Sequence, residues 1–155
     1  MYLRPAQTSD VPAMMALQRR NPAVALWSQS QYEALFVTAA RPQGSERFAW
    51  VVDDEPGANS ILGYLVARRV DAEWELENIV VSKTARRRGV GTRLLDELIT
   101  HARAGHATCI FLEVRESNQS ARALYRKAGF QETGLRKGYY STPAEDAILC
   151  QLSLY

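Results

Sequence analysis

Six residues near the middle of the chain, Arg86 to Gly91, combine three arginines with two glycines in the sequence RRRGVG. Because glycine has no Cβ, its backbone amide can approach a ligand closely. Apolar residues recur at helical spacing from Leu94 to Ile99, which predicts a helix that begins near Gly91. The first amides of a helix lack internal partners, and the helix dipole adds positive partial charge. A helix start beside arginines is therefore suited to binding a phosphate group.

The glycine spacing excludes the two commonest nucleotide-binding loops. No Lys-Ser/Thr pair follows the glycines, as a Walker A loop requires, and the third glycine of the dinucleotide fingerprint is missing. The simpler alternative is a surface turn whose arginines are solvated.

A second stretch carries groups that could transfer protons. Glu113 stands at the end of an apolar strand, and Tyr125 lies in the helical pattern that follows it. A carboxylate can accept a proton and a phenol can donate one, the two tasks of general acid–base catalysis. Structural roles are open as well. Glu113 could pair with Arg115, and Tyr125, at helical spacing with Ala121 and Leu124, could pack in the core.

The strand and helix patterns around these residues predict one α+β domain over residues 1–155. Strands are predicted over residues 2–5, 48–52, 61–70, 74–81, 108–114, 130–139 and 147–154, with loops over residues 41–46 and 53–59. Helices are predicted after Asp10, Ser28, Gly91 and Asn118, the third ending near Gly105 and the fourth at Gly129.

The connections between the elements predict a mixed sheet. Short turns join the strands from 48 to 81, so these strands form an antiparallel meander. The helix between residues 81 and 108 is long enough for a right-handed crossover, which makes the flanking strands parallel. With helices on both faces, the chain is predicted to be an α+β (α/β mixed-sheet) domain.

Composition narrows the class of protein. The chain has 155 residues, 46% of them hydrophobic and 23% charged, as in an ordinary soluble domain, and its net charge of +2 argues against nucleic-acid binding. No apolar run approaches the roughly 18 residues of a membrane span, and no signal peptide is seen, so a cytoplasmic location is predicted. Cys109 and Cys150 are predicted to be buried free thiols, without metal-ligand spacing, so no metal is expected.

Two motifs together resemble those of the GNAT N-acetyltransferases. Arg86, Gly89 and Gly91 occupy the fixed positions of the Gln/Arg-x-x-Gly-x-Gly/Ala loop that binds the pyrophosphate of acetyl-CoA in that superfamily. The stretch LEVRESNQSARALYRKAGF resembles its downstream motif. The resemblance covers nearly the whole chain and is greatest to the bacterial ribosomal-protein alanine N-acetyltransferases. It implies a GNAT-like fold, with a central mixed sheet flanked by helices, and acetyl-CoA as co-substrate.

The resemblance also implies roles for single residues. Glu113 would be the general base and Tyr125 the general acid. The co-substrate would contact the loop, the central strand and the next helix start, through Arg86, Arg87, Arg88, Gly89, Val90 and Gly91 for the pyrophosphate, Ile79, Val80 and Val81 for pantetheine, and Asn118 for the CoA arm. Glu77 is a second candidate for the base, because many members place it on the central strand. Strand alternation puts Glu75 on the same face as Glu77.

Several functions are compatible with these residues. The resemblance favours acetyl transfer to a protein N-terminal α-amine, with a ribosomal protein among the expected partners. Acetylation of a small amine or a lysine side chain is the alternative within the enzyme class, and a non-catalytic acyl-CoA-binding module is the alternative outside it. A nucleic-acid or membrane partner is not expected, and the protein is expected to be a monomer or a homodimer.

Overall fold

The fold is built on one mixed β-sheet. A computed structural model of the protein describes residues 1–22, 26–37, 45–56 and 60–155. Its strands are β1 (Tyr2–Pro5), β2 (Ser45–Asp53), β3 (Ile61–Val70), β4 (Glu73–Val81), β5 (Cys109–Arg115), β6 (Gln131–Ser141) and β7 (Ala144–Ser153). Its α-helices are α1 (Val11–Arg19), α2 (Gln29–Glu33), α3 (Val90–Ala104) and α4 (Gln119–Lys127). Within the described ranges, no helix has the length and apolar character needed to cross a membrane.

The strands follow the order β1-β2-β3-β4-β5-β7-β6. The meander β2-β3-β4 is antiparallel, and β4 and β5, which α3 connects, are parallel. Both predictions are confirmed. The predicted mixed sheet with helices on both faces is confirmed as well, since α1 and α2 contribute to one core and α3 and α4 to the other.

The parallel pair is short. Only Glu73, Trp74 and Glu75 of β4 have register partners on β5, namely Cys109, Ile110 and Phe111. Beyond Glu75 the two strands have no further paired residues, so the middle of the sheet opens there. The seam between β4 and β5 is thus closed at one end and open at the other.

Two buried clusters cover the two faces of the sheet. Alternation along β3 shows the division, since Leu65 packs toward α3 and α4 whereas Tyr64 and Val66 pack toward α1 and α2. On β4 the register shifts at Glu77, because Leu76 pairs with Ala67 and Asn78 with Val66. This β-bulge adds one residue to β4 and changes which residues face each core.

The first two helices are fixed to the sheet by a buried polar network. The Tyr32 hydroxyl donates to Gln18 Oε1 at 2.6 Å and lies 2.6 Å from the Tyr64 hydroxyl. Asn78 Nδ2 donates to the Tyr32 hydroxyl at 3.3 Å. Such contacts satisfy polar groups that would otherwise be costly to bury. They connect α1 and α2 to β3 and β4.

Some predictions at the level of elements need correction. The loop predicted over residues 41–46 is wrong at Ser45 and Glu46, which belong to β2, and Asp53 is also part of that strand. Residues 41–44 and 57–59 lie outside the described residues. Cys109 and Cys150 are free and buried, as predicted.

Candidate active site

A cavity of about 570 Å³ lies beside the end of β4 that is not paired with β5. It is lined by the end of β4, the following loop, the start of α3 and the start of α4, together with two residues after α1. Its lining residues are Asn21, Pro22, Ile79, Val80, Val81, Lys83, Ala85, Arg86, Arg87, Gly89, Val90, Gly91, Thr92, Asn118, Ser120, Ala121 and Leu124. The residues predicted to contact the co-substrate all line this cavity except Arg88.

The loop before α3 is shaped by its glycines. Gly89 is the N-cap of α3 and has φ +80°, a left-handed conformation that favours glycine. At Gly91 a Cβ would lie 2.9 Å from Leu124 Cδ2, so the absence of a side chain lets α3 approach α4 closely. The amides of Val90, Gly91 and Thr92 form the first turn of α3, where no earlier helical carbonyl can pair with them. All three residues line the cavity, whose wall is therefore suited to an anion.

Two arginines of the RRRGVG loop have different partners. Arg86 donates from Nη2 to Asn21 Oδ1 at 2.8 Å, and Asn21 donates to the Leu17 carbonyl oxygen at 2.7 Å. This contact connects the loop to the end of α1. Arg88 instead forms an exposed ion pair with Asp54 at 3.2 Å.

The open side of β4 presents backbone groups to the cavity. Ile79, Val80 and Val81 pair with β3 on one side, and no strand of the described residues pairs with them on the other. Their outward N–H and C=O groups can bind an extended ligand in the manner of an added strand. Asn118, on the opposite wall, caps α4 by accepting from the Ala121 amide at 3.2 Å.

Two carboxylates flank the point where the strands separate. Glu77 is two residues beyond the last paired residue of β4, Glu75, and Glu113 is two residues beyond Phe111 on β5. Both carboxylates lie within electrostatic range of Glu75. Burial raises the pKa of Glu75, although Arg68 opposes the shift with a hydrogen bond of 2.6 Å.

Each flanking carboxylate forms an ion pair with an arginine that lies two strands away in the sheet. Glu113 accepts from Arg136 of β6 at 2.7 Å, and Glu77 accepts from Arg47 of β2 at 3.0 and 3.2 Å. The alternative expectation, that Glu113 pairs with Arg115, is therefore wrong. Arg115 pairs with Glu145 at 3.3 Å.

Two tyrosines of β6 also face Glu113. A hydrogen bond to Glu113 and burial raise the pKa of Tyr139. Burial, followed by the charge of Glu113, raises the pKa of Tyr140 to about 12. Arg115 lies over the Tyr140 ring, 4.2 Å from its centroid. Both phenols therefore stay protonated at neutral pH.

Tyr125 is a buried residue of α4 that does not line the cavity. Its ring centroid lies 5.9 Å from that of Phe130, and burial raises its pKa. It packs with Leu112 of β5 in the core beneath α3 and α4. Glu113, the next residue on β5, points to the opposite face of the sheet. Both side chains could reach one ligand only through the opening between β4 and β5.

Sequence reasoning missed Asn21, Arg47 and Arg136. Asn21 is 65 residues from Arg86, and the two ion pairs span 30 and 23 residues. No local motif marks these positions, because each partner is brought near only by the completed sheet.

Comparisons with known proteins agree with this architecture. The acetyltransferase (GNAT) family model matches residues 11–130. The [ribosomal protein bS18]-alanine N-acetyltransferase of Escherichia coli strain K12 is 33% identical over 150 residues, which cover 96% of this chain and 94% of that protein. The N-alpha-acetyltransferase RimI of Mycobacterium tuberculosis is 41% identical over 92 residues, or 57% of this chain, and the chain spans only 56% of that relative's length.

Solved structures show the same fold. The crystal structure of the ribosomal-protein-S18-alanine N-acetyltransferase from Escherichia coli superposes with a TM-score of 0.78 at 27% identity, covering 99% of this chain and 93% of that one. The family match spans most of the sheet, the RRRGVG loop and α4. The chain therefore belongs to the acetyltransferase (GNAT) family.

Proposed function

We propose that this protein is an acetyl-CoA-dependent N-acetyltransferase that modifies a protein N-terminal α-amine. The observation that carries the proposal is the opening between β4 and β5. The helix start on one side is suited to an anion, and the carboxylates of Glu77 and Glu113 form the mouth of the opening. A phosphate-bearing donor and an amine acceptor could therefore meet there. The Escherichia coli relative, named as a [ribosomal protein bS18]-alanine N-acetyltransferase, supports this class of acceptor.

The residues of the cavity fit acetyl-CoA. The first-turn amides of α3 with Arg86 and Arg87 would hold the pyrophosphate, while the unpaired edge from Ile79 to Val81 would hold pantetheine. Acetyl-CoA supplies an activated acetyl thioester. The protein would align that thioester with the acceptor by pairing the donor to a rigid strand. Such alignment is a large part of the rate advantage of enzymes.

Glu113 would take the proton from the acceptor ammonium. An N-terminal amine has a pKa near 8 in model peptides, so only modest assistance is needed at neutral pH. The free amine would then attack the acetyl carbonyl directly, and no residue of the protein would be acetylated in between. The Glu113 carboxylate, partly exposed at the mouth, can pass the proton to water.

Tyr125 would donate a proton to the leaving sulfur of CoA. Its raised pKa keeps the phenol protonated at neutral pH, as a general acid must be. Leu124, its neighbour on α4, lines the cavity. The helix, although not the hydroxyl itself, would therefore lie against the bound donor.

A panel of acceptors tests the proposed substrate class. CoA release should be fastest with peptides that carry a free N-terminal alanine, and slow with polyamines, free amino acids and peptides whose only amine is a lysine side chain. N-acetylated versions of the same peptides serve as controls and should give no release. A preference for a small amine or lysine would replace the proposed acceptor, and binding of acetyl-CoA with no release for any acceptor would favour a non-catalytic module.

The single-domain organisation over residues 1–155 and the cytoplasmic location remain predictions.

A further inference from the structure

The two carboxylates at the mouth of the opening are both neutralised by arginines, but in different ways. The Glu77 side chain is 13% exposed and its partner Arg47 is 36% exposed. The Glu113 side chain is 23% exposed and its partner Arg136 is 57% exposed. Exposed ion pairs are weak because water and salt compete with them. The pair at Glu113 is therefore the easier one to separate.

Arg47 is held in place by several contacts. It donates to both carboxylate oxygens of Glu77, and its guanidinium lies 5.7 Å from the centroid of the Trp27 ring. The backbone of Trp27 is in turn fixed by Gln18, which accepts from its amide and donates to its carbonyl oxygen, each at 2.8 Å. A bidentate pair supported by an aromatic ring is the stronger kind. Glu77 thus keeps its counter-ion.

Arg136 has fewer contacts and lies in an irregular part of an edge strand. One bond joins it to Glu113, and its guanidinium lies 4.6 Å from the centroid of the exposed Tyr139 ring. The register between β6 and β7 is broken from Arg136 to Tyr140, and Gly138 within this break has φ +63°. The side chain can swing into solvent without disturbing a buried contact.

Charged and titratable groups approach Glu113 from two other strands of the sheet. Arg136, Tyr139 and Tyr140 approach it from β6, and Glu75 approaches it from β4. Arg136 is the only cation among these four, and Arg115, two residues further along β5, is already paired with Glu145 at 3.3 Å. An ammonium that enters the mouth can therefore take over the role of Arg136 without leaving a carboxylate unpaired.

We propose that Arg136 is an exchangeable counter-ion of Glu113, occupying in the free protein the position that the acceptor ammonium takes during catalysis. The proposal rests on the proposed function, since it requires an amine acceptor at Glu113. Arg136 is then a positioning residue that keeps the carboxylate oriented until the acceptor displaces it. Acceptor binding includes the separation of one ion pair.

Peptide affinity in a double-mutant cycle tests this exchange. A short peptide with a free N-terminal alanine is titrated calorimetrically into the wild type, Arg136→Gln, Glu113→Gln and the double variant. Removing the competitor should tighten binding about 1.5- to 5-fold in the wild-type background, the range expected for an exposed pair. In the Glu113→Gln background, Arg136→Gln should have no effect. Lys137→Gln, which removes the same charge from the next residue, is the matched control and should leave the affinity unchanged.

Other outcomes would overturn the exchange. Weaker binding by Arg136→Gln in both backgrounds would show that Arg136 binds the peptide directly, and unchanged affinity in the wild-type background would show that no competition exists. The N-acetylated peptide lacks the ammonium, so its affinity should not rise in Arg136→Gln. The role of Glu113 as base is judged separately, from kcat of Glu113→Gln. Full turnover in that variant would remove the role of base from Glu113, whereas no CoA release with any acceptor would contradict the proposed function. Neither result would alter the affinity cycle.

Discussion

Among the individual side chains of the mouth, Glu113 and Glu77 compete for the role of base. We expect Glu113→Gln to lower kcat by about 10²- to 10⁴-fold, the usual range for general-base assistance, and most strongly at low pH where more acceptor is protonated. Glu77→Gln should affect kcat much less, because Arg47 already engages that carboxylate through two hydrogen bonds. Steady-state pH–rate profiles of both variants measure the difference. A profile altered by Glu77→Gln alone would assign the base to β4.

Tyr125 allows packing and catalysis to be separated by one oxygen atom. Tyr125→Phe keeps the buried ring against Phe130 and removes only the hydroxyl. If that hydroxyl protonates the leaving sulfur, kcat should fall by about 10²- to 10⁴-fold. Acetyl-CoA affinity and melting temperature should change little. Stopped assays of CoA release, with calorimetry and thermal unfolding on the same samples, measure all three.

The two outcomes for Tyr125 are opposite. Near-normal turnover in a well-folded Tyr125→Phe protein would assign the residue to the core and leave the thiolate to be protonated by solvent. Tyr140→Phe is a useful comparison, because it removes a phenol on β6 near Glu113 and should not reproduce a defect in leaving-group protonation.

The start of α3 is the element on which donor binding depends. Gly89 has a left-handed backbone, and a Cβ built there meets nothing within 4 Å. Asp and Asn tolerate this conformation better than most residues and both cap helices well. Gly89→Asp should therefore weaken acetyl-CoA binding by about 10- to 100-fold, since it places a negative charge where phosphate binds. Gly89→Asn, of nearly the same shape, should weaken it far less.

Calorimetric titration of acetyl-CoA measures this pair of variants, and thermal unfolding serves as the control for folding. An acidic residue at a helix N-terminus is stabilising, so Gly89→Asp should not lower the melting temperature relative to Gly89→Asn. Equal affinity in the two variants would remove the phosphate-binding role from this helix start.

The same element shows how far sequence patterns reach. The strand, the RRRGVG loop and the helix followed from apolar periodicity and from glycine chemistry, which act over a few residues. β2 was predicted to begin at Phe48 but begins at Ser45, because its first residues are polar and give no strand pattern. The bulge at Glu77 was not predicted, since it arises from the pairing of β4 with β3.

The candidate site was predictable only in part for a related reason. Most of the cavity that would hold acetyl-CoA is lined by a continuous stretch from Ile79 to Thr92, whereas the mouth is formed by side chains from four strands. Arg136 is exposed and Arg47 is half-buried, and neither position forms a recognisable local pattern with its carboxylate partner. Their choice of partner depends on the assembled sheet.

Across the whole molecule, the N-terminal strand is joined to the sheet and to the start of α1 by one arginine. Arg4 donates to Asp53 at 2.6 Å and to Asp10 at 2.8 Å. Burial alone would raise the pKa of Asp10, but hydrogen bonds from Arg4 and the Gln7 amide outweigh it, so the pKa is lowered from 3.8. Because the folded-state pKa is the lower one, this carboxylate stabilises the fold above its unfolded pKa. The contribution is lost as the pH falls through the folded value.

We therefore expect Asp10→Asn to be less stable than the wild type near neutral pH, with the difference shrinking as the pH falls below about 4. Urea unfolding of both proteins across this range measures it, since urea does not screen charges. Asp71→Asn, in the exposed turn between β3 and β4, is the control. A stability difference that stays constant with pH would mean that Asp10 acts through packing.

The short pairing of β4 with β5 gives the sheet an additional free edge in its interior. Free strand edges bind other extended chains, and proteins generally protect them. Here the protection would come from the pantetheine arm when the donor is bound. Without it, the outward amides from Asn78 to Val81 should exchange with solvent deuterium faster than those facing β3, and the protein should aggregate more readily. The donor would then act as a missing strand of the fold as well as a reactant.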